Sequence, residues 1–196
     1  MIDTYAFTSI EEAHLRIGDG LKALGRCALR TAGLIARRGL RQPVDAVGHQ
    51  VRWADGTTSA VYRETIADRV AQRPCALVVR FRLRGVRRPI IHAFFRLESE
   101  LNTVLFAGFP GFVSKLWFAD DEQGVYRGLY DWDDPAAADT YVRALWWALM
   151  VVAERSSIDA VVVPGVRRDD LLRDPHVMQA IARDAPAAWW HPAELT

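Results

Sequence analysis

The chain has 196 residues, 51% hydrophobic and 25% charged, with seven tryptophans, which suits one folded domain with an extension and excludes a disordered or fibrous chain. Its net charge of +1, and basic residues that are not interleaved with stacking aromatics, argue against a nucleic-acid partner. The longest apolar run, Ala144–Ala153, is half the ~20 residues of a membrane span, and Asp3, Glu11 and Glu12 stand where a signal peptide is basic then apolar. The expectation is a cytoplasmic protein that does not rely on membrane contact.

The charge is unevenly spread. Residues 1–88 hold 16 basic and 8 acidic groups, and residues 89–196 hold 9 basic and 16 acidic ones. The two halves can compensate each other within one fold or across a dimer, or the first half can meet an anionic partner. Cys27 and Cys75 match no metal spacing and sit among apolar neighbours, as buried thiols do.

In chain order, residues 9–41 read as helical, opened by the capping-box pattern Ser9-Ile10-Glu11-Glu12 and broken at Gly18 and Gly20. The second helical piece has an apolar stripe of Leu21, Leu24, Ala28, Ala32 and Ile35. Another stripe is basic, with Arg26, Arg30, Arg37 and Arg41. Packing on its own domain or resting on a partner or anionic surface both suit it. Pro43 ends this region. His49–Thr65 reads as a β-hairpin turning at Asp55-Gly56, where both residues accept positive φ. Residues 1–74 are read as an extension docked on the main domain.

From residue 75 to 165 the pattern becomes regular. Cys75–Arg84 is a predicted strand, Arg88–Phe106 a helix, and Gly111–Ala119 and Val125–Trp132 two strands around an acidic turn. A long helix follows from Pro135 to Arg155, capped by Asp133 or Asp134, and Ile158–Pro164 is the last strand. The order β-α-β-β-α-β predicts an α+β, ferredoxin-like plait. Residues 166–196 form a helical tail anchored by Trp189-Trp190.

The run from Phe109 to Tyr141 carries a likeness to a known family. Pro110-Gly111, Lys115-Leu116-Trp117, Gly128-Leu129-Tyr130 and Ala138-Asp139-Thr140-Tyr141 succeed one another in it. Over about residues 76–164 the chain resembles the dimeric α/β-barrel superfamily, and within it the small YdhR-like monooxygenases. The resemblance implies a homodimer packed sheet to sheet and a monooxygenase-like activity. Haem-degrading relatives place an axial histidine on the second helix; none lies there in this chain, which disfavours haem.

Strand alternation sorts the side chains. Leu77, Val79, Phe81 and Leu83, joined by Phe112, Ser114, Leu116 and Phe118, are expected beneath the helices. Arg80, Arg82 and Arg84, with Lys115 and Trp117, fall on the other face, where Arg127 and Asp131 would join them. That charged face needs cover, which a dimer would give. Tyr126, Tyr130 and Trp132, with Gly128 leaving room, form a candidate pocket wall beneath Phe94, Phe95 and the Trp146-Trp147 helix. The same aromatics equally suit a filled core.

His92, Tyr130 and Arg82 are the candidate catalytic residues, His92 because an imidazole titrates near neutral pH. Trp117, Tyr126, Trp132, Phe81, Phe94 and Trp147 are the candidate substrate-binding residues. The five scattered histidines offer no metal-ligand spacing, and no phosphate or dinucleotide loop occurs, so neither metal nor cofactor is expected. Two functions remain open. One is a cofactor-independent enzyme acting on a hydrophobic small metabolite, by oxygenation or by cyclisation or isomerisation. The other is a non-catalytic small-molecule-binding or assembly protein that uses the basic N-terminal helix.

Overall fold

A computed structural model describes residues 6–8, 14–84, 106–173 and 188–195. Nine strands are present among them: β1 (Ala6–Thr8), β2 (Leu40–Arg41), β3 (Gln50–Trp53), β4 (Thr58–Ala67), β5 (Cys75–Arg82), β6 (Phe112–Phe118), β7 (Val125–Trp132), β8 (Asp159–Pro164) and β9 (Pro192–Leu195). The helices are α1 (Ile17–Ala36), α2 (Pro135–Val152) and the short α3 (Arg168–Arg173). All strand pairs are antiparallel, in the order β1-β8-β5-β7-β6-β4-β3-β9, with β2 beside the far end of β4. The sheet curls into a half-barrel.

This overturns the ferredoxin-like plait. In such a plait β6 and β8 would be bare edges. Here β4 pairs along β6 and β1 pairs along β8, so residues assigned to a docked extension are hydrogen-bonded into the sheet itself. β9, from the predicted helical tail, pairs with β3. β4 is ten residues long, and its two ends hold β3 and β2 respectively. The helix predicted over Arg88–Phe106 lies outside the described residues, apart from Phe106 in a turn.

Local signals had mixed outcomes. α2 starts with Pro135 in its first turn, and the Asp134 carboxylate accepts the Ala137 N–H at 3.2 Å, as the sequence predicts. It ends at Val152, because Ala153 turns extended and bridges to Leu83. α1 runs through Gly18 and Gly20 rather than breaking there. Its buried residues are Gly20, Leu24, Cys27 and Thr31, while Leu21 and Ile35 of the predicted apolar stripe are exposed. Close approach decides this. A Cβ on Gly20 would stand 2.5 Å from Trp147 Cδ1, and one on Gly108 would stand 2.1 Å from the Cys27 carbonyl oxygen. The helix therefore presents small residues to its neighbours. The capping box at Ser9 falls outside the described residues. In the hairpin only Gly56 takes positive φ; Asp55 instead accepts the Thr57 N–H at 3.0 Å through its carboxylate.

The sheet is buried on both faces, with all residues of β6 and β7 covered. One face packs against α2, backed by α1. The other packs Val78, Leu116, Phe118, Leu129 and Val161 against Trp53, Leu171, Trp189 and Trp190. That second face is the predicted arginine face, and the chain covers it itself. Arg80 pairs with Asp159 at 2.8 Å and lies 4.3 Å from the Trp189 ring centre. Arg127 pairs with Asp121 and Asp55 at 2.5 and 2.7 Å. The counter-charges of Arg80 and Arg127 are therefore intramolecular, and these arginines do not call for a second subunit to cover them.

Candidate small-molecule site

β7 places Tyr126, Gly128, Tyr130 and Trp132 towards α2 by simple alternation. Gly128 is required there. A Cβ would meet Tyr130 Cε2 at 2.8 Å and Lys115 Cε at 3.1 Å, so the missing side chain is the space those two occupy.

β6 departs from the expected alternation. A register shift between Phe112 and Ser114 puts Phe112 opposite Trp132 but Lys115 opposite Tyr130 and Trp117 opposite Gly128. Lys115 and Trp117 are therefore on the α2 face, while Leu116 and Phe118, expected beneath the helices, lie on the other. A second shift, between Val61 and Arg63 of β4, brings Tyr62 against Trp117, ring centres 6.3 Å apart, with the Arg63 guanidinium 5.2 Å from the Trp117 ring centre.

Tyr62, Lys115, Trp117, Gly128 and Tyr130 line a cavity of about 290 Å³, to which α2 contributes Tyr141, Leu145 and Leu149. The volume lies at the lower end of the ~300–1,000 Å³ usual for small-molecule sites. It suits one compact ring system. Among the described residues the walls are mostly aromatic and aliphatic, and the polar residues are Lys115, Arg127 and the tyrosines.

Lys115 is the unusual group. It is 6% exposed, and its Nζ lies 3.1 Å from the Trp117 ring centre and 4.7 Å from those of Phe106 and Tyr130. Among the described residues no carboxylate pairs with it. Burial, and then the nearby Arg63 charge, push its ammonium well below the ordinary lysine range. The three ring faces oppose that shift by favouring the cation, but such contacts contribute about 0.5–2 kcal/mol each. Taking an ammonium out of water costs several kcal/mol, so desolvation outweighs the rings and the proton is held less tightly than on an ordinary lysine.

Tyr130 and Tyr141 share a hydroxyl–hydroxyl hydrogen bond of 3.1 Å. Burial raises both phenols above their usual range, in Tyr130 against a lowering by that bond. Both remain protonated and able to donate at neutral pH.

The predicted site residues divide clearly. Phe81, Trp117, Tyr126 and Tyr130 line the cavity, Phe81 stacked on Tyr126 at 5.9 Å. Trp132 does not; it is fully buried in the core between Phe112 and Tyr141. Trp147 packs on Gly20, and its Nε1 donates to the Leu15 carbonyl at 2.8 Å, away from the cavity. Arg82 alternates to the face opposite Phe81, its backbone N–H bonded to Ser157 Oγ at 2.8 Å. His92 and Phe94 lie outside the described residues. Sequence reasoning put Lys115 on the wrong face and left out Tyr62, Arg63 and Tyr141. Composition held one signal: in a chain whose basic residues are otherwise all arginine, Lys115 is one of only two lysines and stands two residues from a tryptophan.

Among the described residues, no group of histidine, cysteine, aspartate and glutamate is arranged to hold a metal, and no helix is long and apolar enough to cross a membrane. No protein-family model, curated protein or solved structure matches this chain.

Proposed function

We propose that the protein binds a hydrophobic, ring-bearing small molecule with one carboxylate or carbonyl oxygen, and that Lys115 receives that oxygen. The observation that carries this reading is a lysine amine on the wall of an aromatic cavity with no carboxylate beside it among the described residues. A ligand anion would supply the missing counter-charge, in a low-dielectric site where such a pair is strong. The aromatic walls supply non-directional affinity for a planar ring.

A catalytic role for the same site is the second reading, and the amine favours it. A neutral lysine amine takes a proton, and the Tyr130–Tyr141 phenols donate hydrogen bonds to a developing oxyanion. That set matches proton transfer next to a carbonyl, the chemistry of isomerisation and cyclisation, rather than any reaction routed through Arg82.

Calorimetric titration with 2-naphthoate and its uncharged methyl ester tests the binding reading. The acid is expected to bind at least tenfold more tightly than the ester, and to take up protons because the bound anion recharges Lys115. Lys115→Met should remove the acid's advantage, and Gly128→Leu should abolish binding of both. Equal affinities, or an acid whose binding ignores Lys115→Met, would sink the proposal.

A further inference from the structure

We propose that Lys115 is a carbonyl-reactive amine that captures an apolar aldehyde or ketone in the cavity as an imine. The inference rests on the binding reading above and narrows it to a substrate class. Two features of geometry and one of electrostatics support it.

The amine lies at the wall of a cavity, held by the Trp117, Phe106 and Tyr130 rings. A planar carbonyl compound stacked on those rings would have its electrophilic carbon presented to the nitrogen. Second, among the described residues no carboxylate is in place to hold the amine as a charged ammonium, and burial favours the uncharged nucleophile. Third, a proton donor is close. Tyr130 Oη and Lys115 Cε each lie 3.1 Å from the point where a Gly128 Cβ would sit, on the same side of β7.

The step balances without a further reactant. The amine nitrogen adds to the carbonyl carbon, and the carbonyl π pair moves to oxygen, which takes up a proton as nitrogen loses one. The carbinolamine hydroxyl then leaves as water, helped by a proton from Tyr130, and the nitrogen lone pair forms the C=N bond. Loss of the second nitrogen proton returns that proton to Tyr130 and leaves a neutral imine.

The two lysines make a clean test. Lys22 is exposed on α1, and Lys115 is buried at the cavity. The protein would be incubated with 2-naphthaldehyde and cyanoborohydride at pH 7, where the hydride reduces any imine to a stable secondary amine. Peptide mass spectrometry then reads the modified position. Lys115 should be labelled at least tenfold faster than Lys22, and 2-naphthoate should compete. Tyr130→Phe should slow labelling several-fold more than it weakens naphthoate binding, a split that a purely structural role, which lowers both alike, would not produce. If naphthoate binds through Lys115 but the aldehyde labels Lys115 no faster than Lys22, the imine proposal fails and the binding reading stands. If neither compound engages the cavity, both fall.

Discussion

Lys115 is held in the fold at a cost. An amine buried among rings loses its hydration, and no described carboxylate compensates it. Methionine fills a similar volume and keeps the ring contacts. Lys115→Met is therefore expected to stabilise the protein by about 1–3 kcal/mol at pH 7, read as a raised midpoint in urea unfolding. The pH dependence has a definite sign. The folded-state value is depressed, so between it and the unfolded value of about 10.4 the unfolded chain binds the extra proton. Wild-type stability thus rises with pH through that window, and the gap to the variant should narrow from pH 7 to pH 10. A gap that stays constant would show that the amine's ionisation is not coupled to folding.

Elements were legible where local chemistry decides them, and hidden where a single inserted residue does. β7 falls at Val125–Trp132 as predicted, and Pro135 with Asp134 marks the start of α2. The shifts at Phe112–Ser114 and Val61–Arg63 have no glycine or proline at the inserted residue itself, yet each moves later residues to the opposite face. That is why Lys115 was read beside the arginines, and why Tyr62 and Arg63 were not seen as neighbours of Trp117. α1 was misread for a different reason. Amphipathic patterning favours the large side chains, but the contact is set by how closely backbones approach. Gly108 shows it: a methyl group there would also lie 2.7 Å from the Thr31 backbone nitrogen. Gly108→Ala should destabilise the protein by about 2–3 kcal/mol, measured by thermal unfolding. A neutral result would mean that α1 can slide away from this loop.

Across the whole molecule, Arg127 ties together segments far apart in sequence. It bonds Asp55 in the β3–β4 turn, Asp121 in the β6–β7 turn and the Trp189 carbonyl, the last at 3.3 Å. Burial opposes the Asp121 charge, but bonds from the Val125 N–H and Arg127 outweigh it and hold the carboxyl below its ordinary range. Its stabilising contribution is thus present above the usual carboxylate range and is lost as pH falls through the folded value. Asp121→Asn should cost about 3 kcal/mol at pH 7, while the pair Asp121→Asn with Arg127→Met should cost less, since no buried charge is left over. Chemical unfolding of the three proteins decides it; a double variant weaker than the single one would contradict the scheme. The same arrangement sets an order of events. β4, made early, must wait for β6, and β1 must wait for β8, and residues 188–195 close the second face after every other described strand has been made. Until they emerge, Val78, Leu129 and Val161 have no complete cover. The pairing is thus strongly non-local, a topology that slows folding and leaves this sheet face to be covered last.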